Sequence, residues 1–350
     1  MTAIKIPTLA ELFDFTPAQL LEFLNQSQHH WVNQRLGLHL GQTVTLAAGG
    51  GTGKTWLALE LLQTIATGSP RITDPDNVPQ KPLRTLLIDT ERGPHGTATR
   101  FAQLALGRPA ARQQNWNTSF ASQHIGYHNG RHFLDTKEGF AEFERLTDGY
   151  DVVVIDSLSK MFADIYSDAS GAEMQTVRSL SQRRNCLFFF LHHTSQAVMR
   201  GQFDRAVATH GKGNQSFTDN VDLLLTAREH SPRGLPPAKP GNTIKYVLVT
   251  KGKANDVDVA PLLYAIEGSW CGPLRVKEVE LTAQANQDVE HQAEILKEIG
   301  NNPGSLTRSA VAAALGRNKN SCLADIRDLI AEGHVIENDE GKLVLSPHAA

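Results

Sequence analysis

Between residues 43 and about 192 the chain alternates short, nearly continuous apolar runs with longer stretches of helical spacing. The runs Thr43-Val44-Thr45-Leu46-Ala47, Arg84 to Asp89, Asp151-Val152-Val153-Val154-Ile155-Asp156 and Cys186 to Leu191 are rich in β-branched or aromatic residues. Such runs predict strands buried on both faces of a parallel sheet. The segments 56–62, 95–107, 137–148 and 172–184 carry apolar residues at helical spacing. Strand and helix in alternation predict an α/β, doubly wound, mostly parallel core. Later strands are expected at 222–226, 244–250 and 262–266, with a Pro/Gly-rich loop between 228 and 242.

The flanks differ from this core. Residues 1–40 read as a helical lead-in, with Thr16-Pro17 as cap and first helical position, and Leu20, Leu21, Phe23 and Leu24 on one face. The core is expected over 41–282. Residues 283–288 are polar and read as a linker. The tail, 289–350, reads as a separate small domain with helices near 289–300, 306–315 and 319–332. A β-hairpin follows, of 334–337 and 342–345 around a polar turn. Helix, helix-turn-helix and hairpin in that order predict a winged helix.

Length and composition fit two soluble domains, one large and one small. A net charge of −3 gives no global basic field, so any nucleic-acid contact must come from local patches. The three cysteines are scattered and form no CxxC pair, which argues against disulfides and zinc and for a reducing cytoplasm. The densest apolar run, Leu187 to Leu191, is far too short to span a bilayer, and no signal peptide is evident.

The first apolar run leads into Ala48-Gly49-Gly50-Gly51-Thr52-Gly53-Lys54-Thr55, and an apolar-periodic stretch from Trp56 follows. Strand, Gly-rich loop and helix is the context of a phosphate-binding loop. Gly49, Gly50, Gly51, Thr52 and Gly53 let main-chain N–H groups turn around an anion, with Trp56 continuing the cradle into the helix. Lys54 adds a charge near the β- and γ-phosphates of ATP, and the Thr55 hydroxyl is a Mg²⁺ ligand. Ala48 stands where the motif has its first glycine, which is tolerable at negative φ. Asp156, ending a buried strand beside the loop strand, is the acid expected to hold Mg²⁺ through water. Glu91, just past the second strand, is a candidate base for the attacking water, and Asp89 competes with it. His192-His193-Thr194 end the Phe-rich strand at the same edge, where a histidine suits a γ-phosphate hydrogen bond better than zinc.

These motifs, in this order, resemble the RecA-like hexameric helicases, and most closely the plasmid RepA-type replicative helicases, which are P-loop, AAA-type ATPases. The resemblance covers about 40–280. It rests on the Gly49–Thr55 loop, Asp89-Thr90-Glu91-Arg92-Gly93-Pro94 with Arg100-Phe101, Val154-Ile155-Asp156-Ser157-Leu158, and Phe190-Leu191-His192-His193-Thr194-Ser195. Lys212-Gly213-Asn214-Gln215-Ser216 and Val249-Thr250-Lys251-Gly252-Lys253-Ala254-Asn255 complete it. It implies Glu91 as catalytic base, His193 as γ-phosphate sensor and a homo-hexamer or other ring. In such a ring a cation reaches the neighbour's nucleotide, supplied here by Lys212, Lys251 or Lys253. It also implies a channel loop over 194–213, where Arg200 and Arg205 would track single-stranded DNA and Phe203 would stack a base. In the tail, Arg317 and Lys319 are the candidate duplex contacts. Its six basic and ten acidic side chains over 283–350 leave a protein partner equally open. Two readings follow: an ATP-dependent helicase or translocase serving replication of a mobile element or plasmid, and a nucleotide-switched DNA-binding regulator or helicase loader.

Overall fold

A computed structural model describes residues 16, 18–19, 31–67, 82–107, 125–130, 134–162, 169–193, 220–230, 243–254, 261–269, 272–279, 283–331 and 335–345. A two-strand ribbon, β1 (Trp31–Asn33) and β2 (Leu38–His39), comes first. It replaces the end of the expected helical lead-in. The Asn33 side chain accepts from the Leu36 N–H and closes the turn.

The core follows as β3 (Thr43–Ala48), α1 (Lys54–Thr67), β4 (Thr85–Asp89), α2 (Pro94–Leu106), β5 (Ile125–Asn129) and α3 (Lys137–Leu146). Next come β6 (Val152–Asp156), α4 (Ala169–Arg184), β7 (Leu187–His193), β8 (Leu223–Glu229), β9 (Thr243–Ala254), β10 (Leu262–Gly268) and β11 (Leu274–Val279). These strands form one nine-stranded sheet in the order β11-β10-β9-β8-β3-β7-β6-β4-β5. From β8 to β5 every pairing is parallel; from β8 to β11 every pairing is antiparallel. The sheet with its helices is the expected α/β, doubly wound, mostly parallel core. The expected strands and helices all fall within a few residues of their places, and β5 and β11 add to them. One correction concerns neighbours: Asp156 is not beside the loop strand, because β7 lies between β3 and β6.

Burial alternates along the parallel strands. Val152, Val154, Leu187, Phe189 and Leu191 pack on one face with α1 residues Trp56, Leu59, Leu62 and Ile65. Val153, Ile155, Phe188 and Phe190 pack on the other with Phe143 of α3 and Met174, Val177 and Leu180 of α4. This two-sided burial is why the runs are continuously apolar. Each large side chain buried there contributes about 1.5–3 kcal/mol.

The tail contains α5 (Ala283–Asn301), α6 (Arg308–Ala314), α7 (Lys319–Ala331), β12 (Val335–Glu337) and β13 (Leu343–Leu345). Residues 283–288 are therefore the start of a helix rather than an extended connector. The order of three helices and a hairpin is the one the sequence predicts. These elements share a small core around Ile295, Ile299, Val311, Ile326, Leu329, Val335 and Leu343. Among the described residues no helix is long and apolar enough to cross a membrane.

One buried carboxylate ties the starts of two core strands to a helix. Asp222 accepts from the Thr43 N–H at 2.9 Å and the Thr43 hydroxyl at 2.8 Å, and pairs with Arg178 of α4 at 2.5 Å. Asp222→Ala leaves a buried N–H and a guanidinium without this partner. It is expected to lower stability by about 2–4 kcal/mol, read as a shift of the urea midpoint.

Candidate functional site: a phosphate-binding crevice

The parallel strands run in register, so their C-terminal ends open onto one crevice. Ala48 pairs with His193, Asp89 with Asp156, and Asp156 with Leu191. The loop between β3 and α1 rises from this edge. Its turns demand glycine: Gly51 has φ 79° and Gly53 φ 108°. A side chain at Gly53 would also meet Ile266 Cδ1 at 2.5 Å, so β10 backs the loop directly. Ala48 ends β3 fully buried and is not among the positive-φ residues, which accounts for alanine at the motif's first position. The Thr52 hydroxyl donates to the Gly49 carbonyl at 2.9 Å and holds the loop's curve.

Lys54, at the first turn of α1, is 4 % exposed. Its ammonium lies 2.9 Å from His193 Nδ1 and 3.5 Å from the Gly49 carbonyl. His193 Nε2 lies 3.1 Å from Glu91 Oε1, and the Ser157 hydroxyl donates to the same oxygen at 2.6 Å. A charged ammonium has no acceptor, so the contact with Lys54 places Nδ1 as acceptor and leaves Nε2 to donate to Glu91. Burial pushes Lys54 down to about 8, against the pull of Asp156 and Glu91. The His193 hydrogen bond, above all, draws Glu91 down to about 2, with burial opposing and Ser157 adding to it. Lys54 thus carries its charge at neutral pH and loses it as pH rises through about 8.

Asp156 accepts from the Thr55 hydroxyl through Oδ2 at 2.9 Å. Its Oδ1 is buried with no hydrogen-bond partner. Burial, followed by the nearby Glu91, raises its pKa. An orphaned carboxylate oxygen beside a hydroxyl is a hard, oxygen-only donor set and suits Mg²⁺. Among the described residues no cluster of three or more His, Cys, Asp or Glu could hold an ion alone. A Mg²⁺ here would draw its remaining ligands from phosphate and water.

The structure separates the two acids near the second strand. Asp89 is 3 % exposed, and its Oδ1 accepts from the N–H groups of Glu91 and Arg92, each at 3.0 Å. Its Oδ2 accepts from the Thr97 and Tyr127 hydroxyls. Asp89 shapes the turn; Glu91 faces the crevice. His192 is buried while the His193 side chain is 27 % exposed, as strand alternation requires.

Trp56 turns its side chain into the core beneath the Arg100 guanidinium, 4.7 Å from the ring centre, so only its main chain faces the loop. Lys251 is exposed on β9, and Lys253 lies near the end of the same strand. Lys212, Arg200, Phe203 and Arg205 lie outside the described residues. Arg317 is paired with Glu294 at 2.5 Å, while Lys319 is exposed at the start of α7. Sequence reading missed Ser157 as a partner of Glu91, and Lys245 of β9, which donates to the Gly51 carbonyl at 2.9 Å. Serine directly after the strand-end acid was the available signal for the first; a lysine within an apolar strand was the signal for the second.

A family profile described as an AAA domain matches residues 8–198, reaching back into the expected lead-in. No curated protein matches the chain. Among solved structures, a KaiC-like protein from the hyperthermophilic archaeon Pyrococcus horikoshii OT3 is 12% identical, with a TM-score of 0.45 over 70% of this chain and 92% of that one.

The different surroundings of the two acids can be measured. Asp89→Asn gives up a charged acceptor of four donors and is expected to lower stability by about 2–3 kcal/mol. Glu91→Gln retains an acceptor for Ser157 and is expected to stay within about 1 kcal/mol of wild type. Urea melts of both variants at pH 7 check this.

Proposed function

The chain belongs to the AAA domain family, and from that premise we propose that it is an ATP-driven, Mg²⁺-dependent DNA helicase or translocase of the RepA-like type. The observation that carries the nucleotide part is the meeting of Lys54, Thr55, Asp156, Glu91 and His193 at one strand edge. The loop N–H groups, the start of α1 and Lys54 bind the phosphates. Thr55 and Asp156 hold Mg²⁺, which neutralises developing phosphate charge when bound. Glu91 orients the attacking water and accepts its proton. Glu91 is ionised and engaged by His193 and Ser157, so it exchanges one of these bonds to take up the water. Phosphate arriving at Lys54 competes with His193 Nδ1 for the ammonium. That exchange makes His193 the sensor.

Assembly into a homo-hexamer or other ring, with Lys212, Lys251 or Lys253 completing the neighbour's site, is the part that separates a motor from a nucleotide-switched regulator or loader. Single-stranded DNA is the proposed substrate, with Arg200, Phe203 and Arg205 as its contacts. The tail is proposed as a winged helix, and the pairing of Arg317 with Glu294 favours a protein partner for it over duplex DNA.

Glu91→Gln is expected to bind ATP and hydrolyse it about two to four orders of magnitude more slowly, measured as steady-state turnover beside nucleotide affinity. Equal turnover would remove Glu91 as base. The motor reading is tested by mixing subunits. Lys54→Ala subunits combined with Lys212→Ala, Lys251→Ala or Lys253→Ala subunits should recover ATPase activity, because an intact cation then faces an intact loop. A monomeric switch would show the activity of two dead proteins at every ratio, and a monomeric mass with ATP analogue and DNA would sink the ring.

A further inference from the structure

Lys245 reaches the phosphate-binding loop from β9. It lies on β9, opposite Ile266 of β10, the residue that packs on Gly53. Its ammonium donates to the Gly51 carbonyl at 2.9 Å and pairs with Glu229, at the end of β8, also at 2.9 Å. The Lys245 side chain is 28 % exposed, against 59 % for Glu229. Lys245 is therefore the more enclosed partner of this ion pair.

The geometry matters because of where Gly51 sits. It is exposed at the loop tip in the left-handed region, and no side chain crosses the space a Cβ would take there. A glycine tip without side-chain packing has many accessible conformations, and each must be restricted when an anion binds. A cation on the Gly51 carbonyl fixes the orientation of the Gly51–Thr52 peptide. It also polarises that peptide, making the Thr52 N–H a stronger donor. Lys245 adds positive charge outside the loop, while Lys54 supplies it inside.

We propose that Lys245 is a positioning residue for the nucleotide. It acts through the Gly51 carbonyl to preorganise the phosphate-binding loop, and it links that loop to the β8–β9 hairpin. This rests on the nucleotide reading of the crevice. Preorganisation lowers the cost of binding in ground state and transition state alike, so its loss is expected in KM and in ADP affinity rather than in kcat.

The test compares the full-length wild type, Lys245→Met, Lys245→Arg, Glu229→Gln and Lys54→Ala. It reads binding of a fluorescent ADP with Mg²⁺, kcat and KM for ATP, and the thermal midpoint. Lys245→Met is expected to weaken ADP and raise KM about five- to twentyfold, the range of one charge-assisted hydrogen bond partly open to water, with kcat within about twofold. Lys245→Arg, which keeps charge and donors, should recover most of the loss. Glu229→Gln keeps the Gly51 bond and should change KM less than about twofold.

Unchanged ADP affinity in Lys245→Met, while Lys54→Ala loses binding, would overturn the role of Lys245 and leave the nucleotide reading intact. So would an equal fall in kcat and in ADP affinity accompanied by a large drop in midpoint, because that marks a structural role. A wild type that binds no ADP would overturn both.

Discussion

A buried ammonium sets the terms for the crevice. Lys54 sits in the first turn of α1 with almost no exposure, and burial alone disfavours its charge. What keeps it charged at neutral pH is the pair of acids at the ends of two other strands, Asp156 and Glu91. Those acids carry strain of the opposite sign. Asp156 is pushed toward neutrality by its own burial and by Glu91, and Glu91 is held ionised chiefly by His193. No member of this set is comfortable alone. The site therefore depends on β3, β7, β6 and β4 ending at one level, and on the parallel register that fixes that level.

The interposed strand gives the crevice its width. With β7 between β3 and β6, the loop lysine and the strand-end acid are separated by one strand, and His193 fills that gap. Thr55, one residue into α1, then reaches Asp156 across it. Had β6 paired directly with β3, His193 would have no place between Lys54 and Glu91. The two-sided burial of Leu187 to Leu191 is what holds β7 in this central position, with Phe188 and Phe190 on one face and Phe189 and Leu191 on the other.

Much of this was legible in the sequence, for physical reasons that also mark where legibility ended. Continuous apolar runs located β3, β4, β6 and β7, because two-sided burial leaves few alternatives. Strand β5, Ile125-Gly126-Tyr127-His128-Asn129, escaped because an edge strand buries little and its burial pattern alternates only weakly. The ribbon at Trp31–His39 escaped because its strands are too short to show a period. Residues 283–288 were misread because a polar helix start has the composition of a linker. Periodicity cannot order strands, so the insertion of β7 beside β3 was invisible. At the site, the loop, Asp156, Glu91 and His193 were readable from position, but the choice between Glu91 and Asp89 was not. The four donors around Asp89, which distinguish its surroundings from those of Glu91, are brought together only by the fold.

Lys54 and Glu91 both hold protein partners in this crevice, and that has consequences for energy transfer. Lys54 already has His193, and Glu91 already has His193 and Ser157. Under the proposed reading, a triphosphate does not fill an empty positive site; it exchanges partners with the protein. Each bond it takes from Lys54 releases one that had held His193, and through His193 the base. Binding is weakened by the bonds it must break, and that same energy reappears as rearrangement at the end of β7. The segment after His193 is the one proposed to carry Arg200, Phe203 and Arg205 to DNA. Under that proposal, a partner exchange at the last residue of β7 falls directly before that segment in the sequence.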